Sequence, residues 1–287
     1  MGRAIDVGDT RLWIVEKGPP DALPVLVLHA GPGLDSTYFA GYLDPLAARL
    51  RLVFIDQRAH GRSDRASDPR TWTYHQMARD VSAVAAELGI ERYAVLGCGF
   101  GAEVALQHAV DGPHAAAATI VCGALPSAGW SGAVETALNG IQPRELADRV
   151  VAAWRGRAAA SSDGQLAALW QELLPARFRH PDDPRVAEYR ARAAGMRCAA
   201  AVARHLASRA LGEDVAHRLA LVTQPVLVVA GRHDRFCPPA AASAVAGGVA
   251  QGHLTMFDNC ASEIFVEDTA GFTAAVHRFL AGHAPEG

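Results

Sequence analysis

Short runs rich in Val, Ile and Leu recur along the chain and alternate with stretches of helical periodicity. Continuous apolar runs of this kind are typical of strands that are buried on both faces of a parallel sheet. The alternation with helices therefore predicts an open α/β sheet. The predicted strands lie at residues 11–15, 24–29, 52–56, 93–97, 118–122, 225–230 and 253–257, and the predicted core helices at 73–88, 101–110 and 271–280.

The strand pattern disappears between about residues 126 and 215. Helical patterns take its place at 143–154, 164–174 and 185–211, with proline and glycine between them. Ordinary crossover helices are one interpretation, but a strandless insertion of this length favours a helical lid. We therefore predict a core domain of residues 1–125 and 216–287, with a helical lid (cap) at 126–215.

Composition limits the classes of partner and compartment. The formal net charge is −3 and there is no basic run, so no nucleic-acid partner is expected. No segment has the apolar length of a signal peptide or a membrane span, so a cytoplasmic protein without a membrane partner is expected. The five cysteines form no CxxC pair, which indicates neither a disulfide framework nor a zinc site. The single lysine among many arginines is typical of a GC-rich bacterial genome.

A sharp turn is predicted where the strand at 93–97 ends and a helix begins. Gly97, Gly99 and Gly101 match the spacing of the nucleophile elbow, G-x-S-x-G, in which the central residue attacks the substrate. Here that residue is Gly99, which has no side chain. The turn is therefore predicted to lack its nucleophile.

Three further motifs occur in the same order as in one known family. They are HAGPG at 29–33, DQRAHGRS at 56–63 and GRHDRFCP at 231–238. Together with the elbow, they resemble the α/β-hydrolase family, nearest to its proline iminopeptidase branch. The resemblance covers nearly the whole chain and implies a mostly parallel central sheet flanked by helices, with an inserted helical lid.

The resemblance implies an oxyanion hole made by two backbone N–H groups, those of Ala30 and Phe100. A tight turn without catalytic use is the alternative interpretation of the first motif. His29 belongs to the same motif, where a histidine orders its loop or, alternatively, transfers a proton.

The same resemblance locates the other two positions of a catalytic triad. Asp234 occupies the position of the acid, and a turn-capping carboxylate is its alternative interpretation. Aligning residues 265–268 with the family places Ser262 where the histidine is expected. With Gly99 and Ser262 at those positions, acyl-enzyme chemistry lacks both its attacking group and its proton carrier.

Several other residues are candidates for the pocket. Cys98 and Cys260 are possible substitute nucleophiles, with core packing as the alternative. Glu263 neighbours Ser262 and is a candidate to face the cleft, whereas Asp35 is either a pocket residue or a helix cap. Trp130, together with Trp154, Trp170 and Phe178, is a candidate for an aromatic ceiling over the pocket, with packing inside the lid as the alternative. Glu103, in the first turn of a helix, is interpreted as complementing the helix dipole.

These observations lead to three functional hypotheses. The first is a cofactor-independent lyase, decarboxylase, isomerase or cyclase of specialised metabolism, which acts on a small carbonyl-containing metabolite with Asp234 as its general base. The second is a non-catalytic protein that binds a small ligand in the lidded pocket. The third is an atypical hydrolase that uses water activated by Asp234 or a displaced cysteine. None requires a metal or an organic cofactor.

Overall fold

A single eight-stranded sheet organises the molecule. The computed structural model describes residues 2–112, 114–208 and 214–283. The strands are β1 (Arg3–Asp6), β2 (Arg11–Lys17), β3 (Pro24–Leu28), β4 (Arg51–Asp56), β5 (Ala94–Cys98), β6 (Ala118–Cys122), β7 (Val226–Gly231) and β8 (Gly252–Phe257). They are arranged in the order β1-β2-β4-β3-β5-β6-β7-β8. β1 and β2 run antiparallel to their neighbours, and all other neighbouring strands are parallel.

Ten helices connect or cover the strands in the described residues. They are α1 (Tyr74–Glu87), α2 (Phe100–Asp111), α3 (Ser131–Asn139), α4 (Arg144–Gly156), α5 (Asp163–Leu173), α6 (Pro184–Arg192), α7 (Ala200–Ser208), α8 (Pro239–Gly248), α9 (Ile264–Glu267) and α10 (Thr269–His283). Short 3-10 turns lie between several of them. The predicted mostly parallel α/β sheet is confirmed.

Two elements have no clear signal in the sequence. β1 has only four residues and lies at the edge of the sheet, where three of them are exposed, so it carries no apolar run. α8 consists almost entirely of Ala and Gly, which gives no alternation between an apolar and a polar face. The short length of β1 and the uniform composition of α8 therefore explain why the sequence did not predict them.

The central strands are buried on both faces. Every residue of β5, β6 and β7 is buried. Two separate clusters of apolar side chains lie in the core. Since the faces of such a sheet are closed to water, polar functional groups gather at the carboxyl ends of the strands, where the loops emerge.

The described residues between β6 and β7 form helices α3 to α7 and no strand. We call these five helices, with the turns between them, the helical layer. The predicted helix at 185–211 is wrong as a single element, because the chain leaves helical geometry between α6 and α7; Leu211 itself lies outside the described residues. In this break, the amide of Arg197 donates a hydrogen bond to Asp35 Oδ2 at 3.0 Å. The amide of Ala199 donates one to the carbonyl oxygen of Gly33 at 2.8 Å.

Candidate active site

The turn between β5 and α2 keeps the backbone geometry of an elbow. Gly99 has φ +52° and ψ −120°, a conformation that side-chain-bearing residues rarely adopt. A Cβ on Gly97 would lie 2.2 Å from the carbonyl oxygen of Gly101, and a Cβ on Gly101 would lie 2.3 Å from that of Leu28. Only glycine fits these two positions, because the helix and the strands approach each other so closely. The elbow is therefore intact and lacks only a side chain at its tip.

Two backbone amides border the tip of the elbow. Phe100 is the first residue of α2, so its N–H has no partner within the helix. Ala30 follows β3, and its Cβ lies 3.3 Å from the position that a Cβ would take on Gly99. No hydrogen bond from either amide occurs in the described part of the chain. Phe100 lines both cavities, so its amide is available to bind an oxygen atom of a ligand, whereas Ala30 is buried and lines neither cavity, and the use of its amide stays a prediction.

His29 is held inside the loops that follow β3 and β4. Its Nδ1 lies 2.8 Å from the carbonyl oxygen of Ala30, and its Nε2 accepts the amide N–H of Gln57 at 3.1 Å. Burial lowers the pKa of His29, which favours the neutral ring. The ring is absent from the cavity wall. This geometry matches the loop-ordering interpretation of His29, and its proton-transfer role stays a prediction.

Asp234, after β7, is a buried carboxylate whose two oxygen atoms differ in the number of hydrogen bonds that they accept. Its Oδ1 accepts hydrogen bonds from the amides of Phe236 and Cys237, at 2.8 and 2.9 Å, and from Ser262 Oγ at 2.5 Å. Its Oδ2 accepts no hydrogen bond from a described residue. Burial raises the pKa of Asp234, and the Ser262 hydroxyl and the two amides oppose that rise. Ser262, which the sequence alignment places at the histidine position, thus donates a hydrogen bond to Asp234.

Glu263, the neighbour of Ser262, is fully buried and paired. Its carboxylate forms an ion pair with the guanidinium of Arg177 and accepts the hydroxyl of Tyr38 at 2.6 Å. The carbonyl oxygen of Arg177 in turn accepts the amide of Ser262 at 2.9 Å. Glu263 is absent from the cavity wall, whereas Arg177 and Tyr38 belong to it. The partner of Glu263, and not Glu263 itself, therefore reaches the cleft.

Glu103 lines both cavities, a position that its place in the sequence did not indicate. It lies on α2, one turn after Gly99, and its carboxylate accepts the hydroxyl of Tyr74 at 2.8 Å. Burial raises the pKa of Glu103 to about 7, against smaller opposing effects from Tyr74, the Leu125 backbone and Arg157. Near neutral pH this group both donates and accepts protons. In the sequence, a glutamate in the first turn of a helix that is buried with a raised pKa cannot be distinguished from one that only complements the helix dipole.

Two adjoining cavities lie between the strand ends and the helical layer. The smaller, of about 90 Å³, contains Gly99, Asp234 and Ser262 in its wall. The larger, of about 140 Å³, extends beneath the helical layer. Both are bordered by Gly31, Phe100, Glu103, Leu125, Trp154, Arg177 and Phe236. No histidine of the described chain lines either cavity.

The two candidate cysteine nucleophiles do not line these cavities. Cys98 is buried at the end of β5, and a hydrogen bond with Cys122 and burial both raise its pKa. Cys260 borders a separate surface pocket with Arg179 and Asn259, and burial raises its pKa to about 12. Both thiols are therefore protonated and poorly nucleophilic at neutral pH.

Alkylation tests whether any cysteine of the folded protein is accessible and reactive. All five thiols are buried, so the folded protein is expected to react with iodoacetamide at a small fraction of the rate of the denatured chain. Intact-mass analysis after short exposure to the reagent measures the number of adducts. Rapid labelling of a single cysteine in the folded protein would favour a displaced thiol nucleophile.

Two further candidates lie outside the cavity wall. Asp35 is fully buried, caps the 3-10 turn Ser36–Phe39 through the amide of Thr37, and accepts the amide of Arg197. It thus matches the helix-cap interpretation. Trp130 lies in a short turn before α3, while Trp154 and Trp170 supply the indole rings of the cavity.

The described residues contain no group of three or more His, Cys, Asp or Glu side chains that could hold a metal ion. Within the same residues, no helix has the length and apolar character needed to cross a bilayer.

Comparison with known proteins identifies the family. Residues 24–269 match the family described as the alpha/beta hydrolase fold. The chain belongs to this family, and its order of strands and helices agrees with that assignment.

Individual relatives are named as enzymes. The chain is 35% identical over 198 residues to a probable proline iminopeptidase of Streptomyces coelicolor, a match that spans 66% of this chain and 58% of that relative, less than two thirds of its length. It is 28% identical to the proline iminopeptidase of Xanthomonas citri over 79% of each chain. The crystal structure of the Mycobacterium smegmatis proline iminopeptidase superposes with a TM-score of 0.75 at 25% identity, over 99% of this chain and 98% of that one. The protein is thus a member of the α/β-hydrolase superfamily, similar to proline iminopeptidases.

Proposed function

We propose that this protein is an enzyme that acts on a small carbonyl compound without forming a covalent intermediate and without a cofactor. One observation carries the proposal: the elbow and its amides are intact, yet Gly99 offers no attacking group and Ser262 occupies the partner position of Asp234. A fold that keeps its carbonyl-binding groups and lacks its covalent ones is suited to non-covalent chemistry.

The amides of Ala30 and Phe100 would bind the carbonyl oxygen of the substrate. Negative charge that develops on this oxygen, as in an enolate, is stabilised by fixed N–H donors in a site that excludes water. The missing side chain at Gly99 leaves space beside the carbonyl carbon for a substituent. Such a site supports the lyase, decarboxylase, isomerase and cyclase classes.

Asp234 would act as the general base through Oδ2. The three donors on Oδ1 fix the carboxylate and leave Oδ2 free to accept a proton. Because burial raises the pKa of Asp234, its carboxylate is a stronger base than an exposed one. In the reaction the proton moves to Oδ2, the C–H electron pair forms a C=C bond and the C=O π pair moves to oxygen; return of the proton to another atom or to the opposite face completes an isomerisation, and return to the same position gives hydrogen exchange.

Proton exchange tests this role before the natural substrate is known. We expect the protein to catalyse exchange of the α-hydrogens of phenylacetone or methyl phenylacetate in D₂O, measured by proton NMR. Asp234→Asn is expected to reduce exchange on the order of 10²-fold, since it removes the base. Ser262→Ala keeps the carboxylate and removes one of its three donors, so it is expected to retain more exchange than Asp234→Asn. Equal exchange by the native and Asp234→Asn proteins would contradict the assignment.

The double variant Gly99→Ser/Ser262→His tests the non-covalent character. The native protein is expected to form no acyl adduct with p-nitrophenyl acetate, whereas the variant regains attacker and base and is expected to be acylated, as seen by intact mass. Its stability is expected to fall by about 1–3 kcal/mol, because serine must adopt a positive φ with its Cβ 3.3 Å from Ala30. An acylated native protein would contradict the proposal.

Hydrolysis by water that Asp234 activates is a second candidate. It is favoured by the hydrolase fold and by relatives that are named as peptidases. The same free Oδ2 could deprotonate a water molecule beside a carbonyl bound to the two amides. Release of acid from a prolyl amide or an ester, without an acyl adduct and with loss in Asp234→Asn, would select this candidate.

A further inference from the structure

The acidic and basic side chains of the two cavities differ in how their charges are balanced. The cavities contain four such groups: Glu103, Arg157, Arg177 and Asp234. Arg177 is paired with Glu263, and Asp234 is held by three donors. Arg157 forms no ion pair with a described carboxylate. The larger cavity therefore contains one cation whose charge is not neutralised by a direct contact.

Arg157 lies in the 3-10 turn that follows α4. It donates one hydrogen bond, to the carbonyl oxygen of Trp154, and its guanidinium carbon lies 3.1 Å from the centroid of the Trp154 ring. The carboxylate of Glu103 interacts with it electrostatically but is too distant for an ion pair, and it is about half protonated near neutral pH. The remaining N–H donors of the guanidinium have no acceptor in the described protein.

An arginine in this position remains charged. Burial lowers the pKa of Arg157 to about 10, which still leaves it protonated at neutral pH. A partly desolvated guanidinium is most strongly satisfied by an anion that accepts two parallel hydrogen bonds, and a carboxylate matches this geometry. The larger cavity thus contains a charged guanidinium whose remaining N–H donors lie among apolar side chains.

The size and walls of the larger cavity limit the rest of the ligand. Its volume is about 140 Å³, and an apolar cavity of about 150 Å³ accommodates a benzene ring. The apolar wall includes Trp154, Trp170, Leu125, Val134, Leu166 and Leu206. A single ring or a short branched chain fits this space.

We propose that Arg157 binds a carboxylate of the substrate, so that the substrate class is a compact apolar carboxylic acid that also contains a carbonyl group. The carbonyl part of this description rests on the proposed function. The carboxylate part rests on the cavity alone and is tested by binding, without turnover.

Benzoylformate is a suitable probe. It contains a phenyl ring, a ketone and a carboxylate, and it has no hydrogen next to the ketone, so proton transfer cannot consume it. Benzoylformamide is the uncharged control of nearly the same size. Calorimetric titration of the full chain measures both affinities. We expect the acid to bind on the order of ten-fold or more tightly than the amide, as hydrogen bonds to a charged group imply.

Arg157→Met removes the charge and keeps the length of the side chain. We expect this variant to lose the preference for the acid and to bind both probes with similar affinity. Arg155→Met is the matched control, since Arg155 lies on α4 two residues away, pairs with Glu135 on the surface and does not line the cavity. It is expected to keep the native preference.

The outcomes separate this inference from the proposed function. Equal affinity of the native protein for acid and amide, no binding of the acid, or an unchanged preference in Arg157→Met would overturn the carboxylate site. Thermal unfolding of both variants shows whether the fold is retained. Preferential binding of the acid together with no α-hydrogen exchange would keep the carboxylate site and contradict only the enolisation chemistry.

Discussion

Arg177→Met is expected to lower the free energy of unfolding by about 3–5 kcal/mol. The substitution leaves the fully buried carboxylate of Glu263 without its cation, and a buried charge that loses its partner is strongly destabilising. The hydroxyl of Tyr38 would remain as a hydrogen-bond donor but carries no charge. Urea denaturation at neutral pH measures the change.

A double-mutant cycle tests whether the uncompensated charge of Glu263 causes this loss of stability. Arg177→Met/Glu263→Gln removes both charges, and the glutamine oxygen can still accept the hydroxyl of Tyr38. The double variant is therefore expected to be more stable than Arg177→Met alone, because the uncompensated charge is gone. If the losses of unfolding free energy in Arg177→Met and Glu263→Gln simply add in the double variant, the two side chains contribute independently. The ion pair would then not stabilise this corner of the site.

Glu103→Gln is expected to change how stability depends on pH. The pKa of Glu103 is raised in the folded protein from 4.5 to about 7, so the folded state binds more protons than the unfolded state between these values. The stability that this group contributes is therefore full below pH 4.5 and is lost as the pH rises toward 7. The total loss is at most about 3 kcal/mol, since the side chain is partly exposed.

The variant isolates this effect from the other titrating groups. Glutamine keeps an acceptor for Tyr74 and cannot ionise, so the difference in unfolding free energy between Glu103→Gln and the native protein should grow in favour of the variant as the pH rises from 4.5 to 7. Denaturation curves at four pH values in this window suffice. A constant difference across the window would show that Glu103 is not held in its neutral form by burial.

The sequence predicted the parts of the site that depend on local order along the chain. The glycines at 97, 99 and 101 predict a strand, a turn and a helix, because only glycine fits at 97 and 101, where these elements touch, and because Gly99 has a positive φ. Ser262, which the alignment places at the histidine position, donates a hydrogen bond to Asp234 in the structure, and its equivalence to that histidine stays a prediction. Motifs with fixed spacing contain this information because the residue types at fixed positions reflect the backbone conformation and the close approach of elements that the fold requires there.

The parts that the sequence did not predict depend on contacts between distant segments. Arg177 and Glu263 are 86 residues apart, and no local pattern links a turn of the helical layer to the loop after β8. Glu103 differs from any glutamate in a first helical turn only by what covers it, namely Tyr74 from α1 and the cavity wall. Burial of a titratable group is a tertiary property, so its shifted pKa is invisible in the sequence.

The contacts of Arg177 fasten one corner of the helical layer to the loop after β8. Its carbonyl and its guanidinium both bind the loop after β8, so lifting this corner of the helical layer would break the hydrogen bond that holds Ser262 and expose the buried charge of Glu263. The cavity residues Ser131, at the start of α3, and Ala158, after α4, are exposed. A ligand that entered past these two residues would leave the contacts of Arg177 in place, and with them the hydrogen bond that holds the backbone of Ser262.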